Sequence, residues 1–394
     1  LATGNRNWIK MTSLPNAINK KNDTSSLIAK VRVTSPILMQ KSQNAKSEFD
    51  YLFSPSMKIQ IGNIVKVSWA NRIIWGVVYD FKKETKIAQT KLKSILYVSS
   101  VPPIKHFNLA FLDQVSQYTM APFGQVLRAM LSVQNAFEDD KPINCYGISP
   151  SYRFETEKLS KSRQKIVNWC KDNPPVPANT IIAEIGVSKS IINAMVKSGQ
   201  LSKTQFPIQN EDIRSRLLRI KTAIESANKL NLNSEQTEAV RKINKQSDKF
   251  RVVLLDGVTG SGKTEVYLEF LKKKILLGYQ CLILLPEISL TSGWVNRFKK
   301  WFGFEPYIWH SGIKASDKKL IWREVNTGHP SVVVGARSAL FLPFAKLGVI
   351  IVDEEHDAGY KQEDQFIYHA RDMAILRAKH AQCLIVLATA TPSL

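Results

Sequence analysis

The sequence has 394 residues, of which 44% are hydrophobic and 22% are charged. This composition excludes disordered and fibrous proteins and is typical of a soluble globular protein, and the length predicts two to three domains. No apolar run approaches the roughly 20 residues of a transmembrane helix. The amino-terminal residues show no basic segment followed by an apolar core, which is the pattern of a signal peptide. We therefore expect a cytoplasmic protein without a membrane partner.

A large excess of basic residues predicts a polyanionic partner. The chain has 55 Lys and Arg residues against 33 Asp and Glu residues, which gives a formal charge of +22. Such a charge favours binding to nucleic acid, because each neutralised phosphate releases condensed counterions. A generally lysine-rich proteome would produce the same excess, so the charge by itself leaves both explanations open.

The cysteines and the chain ends give two further expectations. Cys145, Cys170, Cys281 and Cys383 are far apart in the sequence and form no CxxC pair. This spacing indicates neither a zinc site nor a disulfide framework. The sequence begins with Leu rather than Met and stops directly after an apolar segment, so we expect a fragment of a longer protein.

The first part of the chain is predicted to form a small β-rich domain. Residues 1–25 are polar and are predicted to be loose. Alternating apolar residues then predict strands, including a hairpin over residues 64–79 that turns at Ala70-Asn71. Residues 109–131 follow a helical pattern that is interrupted by proline and glycine. We interpret residues 26–136 as one β-rich domain with appended helices.

A linker and a helical unit are predicted next. Residues 137–158 are polar and contain proline, which predicts a linker. Residues 159–204 contain three short helical segments with the helix–turn–helix spacing of a winged-helix unit, and residues 205–231 connect this unit to the remainder. A plain three-helix bundle or a protein-docking module is consistent with the same pattern.

From residue 232 to residue 394 the pattern is that of an α/β domain. Five short, uninterrupted apolar runs alternate with helical stretches. The runs lie at residues 252–255, 282–285, 332–334, 349–352 and 384–387. Such runs predict a parallel sheet with both faces covered by helices.

A phosphate-binding loop follows the first of these runs. Residues 257–264 match GxxxxGK[ST] between a predicted strand and a predicted helix, which is the context that the motif requires. Its glycines let backbone N–H groups surround phosphates, Lys263 reaches the β- and γ-phosphates, and the Thr264 hydroxyl is a ligand for Mg²⁺. The predicted ATP-binding residues of this loop are Gly257, Val258, Thr259, Gly260, Ser261, Gly262, Lys263 and Thr264.

Acidic residues end the fourth apolar run, as a DEEH box at residues 353–356. The carboxyl edge of a parallel sheet is where ligands of α/β proteins bind. We predict that Asp353 holds Mg²⁺ and that Glu354 orients or deprotonates the attacking water, so that both act with Lys263 in ATP hydrolysis. His356 is predicted to link the nucleotide to the next motif by a hydrogen bond. A solvated turn is the alternative.

The third motif, Thr389-Ala390-Thr391, follows the fifth run. It resembles the SAT/TAT motif of superfamily 2 helicases, and the three motifs occur in the order expected for them. Thr389 and Thr391 join His356 as predicted coupling residues. The predicted fold class is therefore multidomain, with a small β-rich amino-terminal domain, a winged-helix-like helical domain and a RecA-like α/β P-loop lobe with a parallel sheet.

Further segments resemble one family within this superfamily. Residues 232–236 resemble a Q-motif in which Gln236 reads adenine, residues 285–291 resemble motif Ia, and residues 335–341 resemble motif Ib. Together with two stretches after the DEEH box, at residues 360–364 and 368–372, they resemble the primosomal protein N′ family of bacterial replication-restart DNA helicases.

The resemblance implies DNA contacts in two places. Residues 49–52 resemble the entry motif of the family domain that captures the 3′ end of a leading strand, and the aspartate that meets the terminal 3′-hydroxyl falls on Asp50. The stretch after the DEEH box resembles an aromatic-rich loop that senses single-stranded DNA, on whose bases aromatic faces stack. A buried or turn-capping role for Asp50 and core packing for Tyr368 are the alternatives. The implied DNA-binding residues are Asp50, Tyr51, Arg337, Tyr360, Lys361, Tyr368, His369 and Arg371.

The resemblance also implies an activity and its cofactors. It implies an ATP-dependent 3′–5′ DNA helicase that uses ATP and Mg²⁺, recognises stalled or abandoned forks and initiates primosome assembly at the bacterial nucleoid. Its partners would be forked and single-stranded DNA, other primosome proteins and single-strand-binding protein. The family's second motor lobe, its Zn²⁺-binding region and its C-terminal domain have no counterpart in this sequence. We therefore expect no zinc ligands and no unwinding by this chain alone, because ATP is hydrolysed between two lobes.

Two other functions share part of this pattern. Another superfamily 2 DNA translocase or a recombination helicase would have the P-loop and the DExH box, but is not expected to carry both residues 49–52 and residues 368–372. A non-catalytic scaffold that binds DNA ends would use the P-loop only to sense nucleotide. The complete set of Lys263, Thr264, Asp353 and Glu354 disfavours the scaffold for the longer protein.

Overall fold

The structure is a computed structural model, and three folded units follow one another along it. It describes residues 27–35, 48–140, 142–153, 159–206, 211–227, 231–246, 249–286, 289, 291–364 and 366–392. The segment at residues 1–25 that was predicted to be loose lies outside these ranges. Within the described ranges, no helix has the length and apolar character needed to cross a lipid bilayer.

The first unit is a closed five-stranded barrel. Its strands are β1 (Leu27–Val33), β2 (Glu48–Phe53), β3 (Ile64–Trp69), β4 (Arg72–Lys82) and β5 (Lys93–Val98), in the order β1-β2-β5-β3-β4. The predicted hairpin is confirmed, since β3 and β4 pair antiparallel and Ala70 and Asn71 form the turn with φ of 43° and 60°. Two consecutive residues with positive φ match the twist of the flanking strands.

Two helices connect the barrel to the rest of the molecule. They are α1 (His106–Thr119) and α2 (Phe123–Met130), and the break between them confirms the predicted interruption. Pro122 is the N-cap residue of α2 and has φ of −55°, as its ring requires. The apolar faces of both helices belong to a buried core that includes Trp75 of the barrel and continues into the α/β domain.

The second unit combines three helices with a small sheet. Its elements are β6 (Ile143–Ile148), α3 (Lys161–Asp172), β7 (Val176–Pro177), α4 (Ala178–Ile185), α5 (Lys189–Lys197) and β8 (Leu201–Phe206), with sheet order β7-β6-β8. The three predicted helical segments are present. The prediction of a linker over residues 137–158 is wrong where β6 lies, because β6 pairs antiparallel with β8. That pairing joins distant segments and leaves no signal in the local polar pattern.

The third unit is the predicted α/β domain. Its elements are α6 (Ile213–Ser226), α7 (Ser234–Lys245), β9 (Arg251–Asp256), α8 (Lys263–Leu276), β10 (Gln280–Leu284), α9 (Ser292–Phe302), β11 (Tyr307–Trp309), α10 (Ala315–Thr327), β12 (Ser331–Gly335), β13 (Leu347–Asp353), β14 (Lys361–Gln362), β15 (Tyr368–His369), α11 (Ala370–Ala381) and β16 (Leu384–Thr389). The main sheet has the order β11-β12-β10-β13-β16-β9 and is parallel throughout. All five predicted apolar runs are strands of it, and β11 is a sixth strand that is too short to give a sequence signal.

The α/β domain packs directly against the barrel unit. The Trp322 ring of α10 lies 4.9 Å from the Phe137 ring, centroid to centroid, and its Nε1 donates to the Met130 carbonyl oxygen at 2.9 Å. Asn326, one turn further along α10, donates to the Pro102 carbonyl oxygen at 2.7 Å. Buried polar groups that bond across an interface fix its geometry as well as its energy. The barrel and the parallel sheet therefore hold a defined mutual position.

Candidate functional site

The P-loop joins the end of β9 to the start of α8. Gly260 and Gly262 have φ of 81° and 84°, in the left-handed region that glycine adopts without steric cost. A Cβ atom on Gly262 would lie 2.2 Å from Nε2 of Gln236, so a larger residue would displace that side chain. The Lys263 ammonium donates to the Gly257 carbonyl oxygen at 2.7 Å. The Lys263 side chain thus folds back onto the first residue of the P-loop.

Gln236 is held against the P-loop by a capping box at the start of α7. The Asn233 side chain accepts from the Gln236 backbone N–H at 2.8 Å, and Oε1 of Gln236 accepts from the Asn233 backbone N–H at 3.0 Å. Nε2 of Gln236 donates to the Ser261 carbonyl oxygen at 3.0 Å. The residue predicted to read adenine therefore lies beside the residues predicted to hold phosphate.

The acidic residues stand at the carboxyl end of β13. Asp353 is almost fully buried, and its Oδ2 accepts from the Tyr267 hydroxyl at 2.8 Å. Burial raises the pKa of the Asp353 carboxyl above its usual value. Glu354 follows with φ of 47°, a left-handed conformation that is strained for a residue with a side chain. Such strain is characteristic of functional sites and turns the chain sharply at the sheet edge.

These elements line one cleft, whose donors and acceptors suit Mg²⁺ and ATP. Backbone N–H groups, an ammonium and a guanidinium are available for phosphate, while the Thr264 hydroxyl and the Asp353 carboxylate are oxygen ligands of the kind that Mg²⁺ prefers. The residues lining the cleft are Gln236, Thr259, Gly260, Gly262, Lys263, Thr264, Glu265, Arg297, Asp353 and Glu354. The structure thus brings the predicted P-loop, adenine-reading and acidic residues to one place.

Two residues of this site were missed by the sequence analysis. Arg297 of α9 lines the cleft, with its Nε 3.7 Å from Oε1 of Glu265. In sequence it is one of many basic residues, and no local signal distinguishes it. Tyr267 of α8 contacts Asp353, but in sequence it is one of several apolar residues of a predicted helix. The hydroxyl group of this tyrosine is the feature that could have identified it as part of the site, because a buried tyrosine usually has a hydrogen-bond partner.

The predicted coupling residues meet between the ends of β13 and β16. Nδ1 of His356 lies 2.7 Å from Oγ1 of Thr389. Oγ1 of Thr389 also accepts from the Thr391 backbone N–H at 3.2 Å. A hydrogen-bonded path therefore runs from the DEEH box to the third motif. The coupling role itself stays a prediction.

On the barrel, neighbouring residues of β2 face opposite sides. The Asp50 side chain is 9% exposed, and its carboxylate accepts from Lys82 at 3.2 Å and from the Thr85 hydroxyl at 2.6 Å. Tyr51 is 3% exposed and donates to the Ser68 carbonyl oxygen at 3.1 Å. The predicted DNA contact of Tyr51 is therefore wrong, because strand alternation turns its ring into the barrel core.

Two tyrosines of the aromatic stretch are also buried. Tyr360 is 1% exposed, and its hydroxyl donates to the Asp353 carbonyl oxygen at 2.6 Å. Tyr368 is 7% exposed and packs against the rings of Phe341 and Phe366. The Tyr360 ring offers no face to a base, so its predicted DNA contact is wrong. The Tyr368 ring packs in the core but also lines a surface cleft with Gln362 and Phe366, so its DNA contact stays a prediction.

The other residues implied to contact DNA remain nearer the surface. Lys361 is exposed, and its carbonyl oxygen accepts from the Arg337 guanidinium. Arg371 is half-buried and donates to the buried Glu355 at 3.0 Å. His369 is half-buried, and burial lowers its pKa. Their roles in DNA binding stay predictions.

Comparisons with known proteins agree with this division of the chain. The DEAD/DEAH box helicase family model matches residues 233–393, and a model described as 3′DNA-binding domain (3′BD) matches residues 36–132. Replication restart protein PriA of Haemophilus influenzae is 33% identical over 357 residues, which cover 88% of this chain and 48% of that protein. Over most of its own length the chain is similar to replication restart proteins PriA. The predicted resemblance is thereby confirmed.

Other relatives have the same description. Replication restart protein PriA of Rickettsia prowazekii is 43% identical over 348 residues, covering 88% of this chain and 41% of that protein. The Bacillus subtilis protein is 38% identical over 248 residues, covering 61% of this chain and 30% of its own length. The chain thus spans half or less of the length of these relatives.

Within the segment that resembles motif Ia, residues 287, 288 and 290 lie outside the described ranges.

Proposed function

We propose that this chain provides the DNA-end-binding module and the ATP-binding lobe of an ATP-dependent 3′–5′ DNA helicase. The helicase recognises stalled or abandoned replication forks at the bacterial nucleoid and initiates primosome assembly there. One observation carries the proposal: residues of β3 and β4, in the barrel that carries Asp50, and residues of the lobe with the nucleotide cleft belong to one continuous buried cluster. A binding module fixed to a motor lobe suits a helicase that starts from a DNA end.

Each group of the cleft has a role in handling ATP. The P-loop N–H groups and Lys263 bind the phosphates, Gln236 contacts adenine, and Glu354 orients the attacking water. Thr264 and Asp353 hold Mg²⁺, which neutralises phosphate charge when it is bound. The hydrogen bond between His356 and Thr389 carries the state of the cleft to the third motif.

The partners in this proposal are forked and single-stranded DNA, other primosome proteins and single-strand-binding protein. The charge of +22 supports the nucleic-acid partners. It also predicts that binding weakens with salt, because phosphate contacts release counterions. Because these charge interactions do not distinguish one DNA end from another, specific recognition of the 3′ end requires another group, and we assign this role to Asp50.

A 3′-hydroxyl fits the surroundings of Asp50. The Thr85 hydroxyl already donates to the Asp50 carboxylate at 2.6 Å, so this carboxylate accepts from an alcohol in the structure. A terminal 3′-hydroxyl is a donor of the same kind. A 3′-phosphate has no such donor in its charged form and is repelled by the carboxylate.

Asp50→Ala is expected to abolish discrimination between two forks that differ only at the leading-strand end. Wild-type protein should bind the 3′-hydroxyl fork about 10- to 100-fold more tightly than the 3′-phosphate fork, because a hydrogen bond to a charged group contributes about 1.5–3 kcal/mol. Fluorescence anisotropy with both forks measures this ratio. The variant should bind both forks alike.

Thr85→Val is the matched control for this experiment. It removes the hydroxyl that occupies the carboxylate but leaves the carboxylate itself, so discrimination should persist. Equal binding of the two forks by wild-type protein would contradict end recognition by Asp50. Only general electrostatic binding to DNA would then remain for the barrel.

A further inference from the structure

The Tyr267 hydroxyl is buried next to Asp353, a residue that lines the nucleotide cleft. Tyr267 is fully buried on α8, one turn after Lys263. Its oxygen is 2.8 Å from Oδ2 of Asp353 and 3.3 Å from Nε1 of Trp294. The hydroxyl therefore connects the helix that follows the P-loop, the helix α9 and the acidic end of β13.

The direction of these hydrogen bonds is fixed by chemistry. An indole N–H can only donate, so the Tyr267 oxygen accepts from Trp294. The single hydroxyl hydrogen of Tyr267 is then left for the Asp353 carboxylate, which can only accept when it is ionised. The only side-chain donor of Tyr267 is therefore used in the bond to Asp353.

The Asp353 carboxylate is thereby held at both oxygens. Oδ2 accepts from Tyr267, and Oδ1 accepts from the Glu354 backbone N–H at 3.1 Å. The carboxylate can neither rotate nor withdraw without breaking one of these bonds. Groups that hold a metal ligand in this way fix its orientation and commonly change metal affinity by about 10- to 100-fold.

We propose that Tyr267 is a positioning residue that orients the Asp353 carboxylate toward the Mg²⁺ of bound nucleotide. This inference rests on the proposed nucleotide site, and it assigns a role to a residue outside the P-loop and the DEEH box. Packing by itself does not account for the hydroxyl, since a phenylalanine would fill the same apolar space. A buried hydroxyl is costly unless it is hydrogen-bonded, and here its donated bond goes to the carboxylate predicted to hold the metal.

Tyr267→Phe tests the role, because it removes one oxygen atom and keeps the ring. Binding of a fluorescent ATP analogue to the 394-residue chain is titrated with MgCl₂ and repeated in EDTA. The Mg²⁺ concentration for half-maximal binding should rise about 10-fold in the variant, while binding in EDTA stays unchanged. Trp294→Phe is the control: it removes the bond to the Tyr267 oxygen but leaves the bond to Asp353, so its Mg²⁺ dependence should stay close to wild type.

A double variant separates positioning from general stability. If Tyr267 acts through Asp353, adding Tyr267→Phe to Asp353→Asn should cause no further change in Mg²⁺ dependence, whatever happens to the melting temperature. The same Mg²⁺ dependence in Tyr267→Phe and wild type, with only a lower melting temperature, overturns the inference and leaves the nucleotide site intact. Failure of wild-type protein to bind the analogue at any Mg²⁺ concentration overturns the nucleotide site and this inference with it.

Discussion

Lys263→Ala is expected to weaken binding of Mg²⁺-bound ATP analogue by about 100-fold, because charge-assisted hydrogen bonds to phosphate contribute about 1.5–3 kcal/mol each. The ammonium group lies at the loop mouth, where it donates to the Gly257 carbonyl oxygen at 2.7 Å. Bound phosphate oxygens would replace that carbonyl. No other lysine lines the cleft among the residues described. The second cation of the cleft, Arg297, lies on α9 beside Glu265 rather than at the loop.

Fluorescence titration with the ATP analogue measures the effect, and thermal unfolding checks that the variant is folded. Lys273→Ala is the matched control, since Lys273 lies on the same helix α8 but is exposed and away from the cleft. The control should bind nucleotide like wild type. Equal affinities of wild type and Lys263→Ala would show that the loop does not bind phosphate in the way proposed.

Trp322→Ala is expected to lower the free energy of unfolding by about 3–5 kcal/mol, the usual range for removing a fully buried large aromatic side chain. Trp322 is fully buried on α10. The change removes the edge-to-face contact with Phe137 and leaves the Met130 carbonyl oxygen without the donor at 2.9 Å. Both losses fall on the interface between the barrel unit and the α/β domain, so unfolding should also become less cooperative.

Urea denaturation followed by circular dichroism measures this loss. Leu320→Ala on the same helix is the control, because Leu320 is 52% exposed and truncation of an exposed side chain has little effect. Trp322→Phe should fall between the two, since it keeps a ring and removes the donor. A loss below about 1 kcal/mol for Trp322→Ala would mean that the two units do not depend on this contact.

The structure changes the account of the aromatic stretch after the DEEH box. Tyr360 and Tyr368 were expected to meet bases, yet both support the interior of the α/β domain. Tyr360 bonds to the backbone of Asp353 itself. The stretch therefore contacts the nucleotide site through the backbone of Asp353. Lys361, His369 and Arg371 of the stretch, and Arg337 beside it, remain candidates for DNA contact.

The sequence by itself determined the parts of this protein whose signals are local. The P-loop at residues 257–264 needs consecutive residues in a strand–loop–helix context, and the five apolar runs each mark a strand that is buried on both faces. Because parallel strands end at one edge, the position of Asp353 beside Lys263 followed from the order of these segments. The turn at Ala70-Asn71 was likewise a property of adjacent residues.

Only the tertiary structure decided which distant groups meet. The pairing of β6 with β8, the inward rings of Tyr51 and Tyr360, and the bond from Tyr267 to Asp353 each depend on segments far apart in the chain. A residue type specifies what a side chain can donate, accept or bury, but the partner is chosen by long-range packing. The physical reason is that burial and hydrogen bonding depend on contacts throughout the whole fold. A sequence pattern shows only the spacing of apolar residues and the local turns.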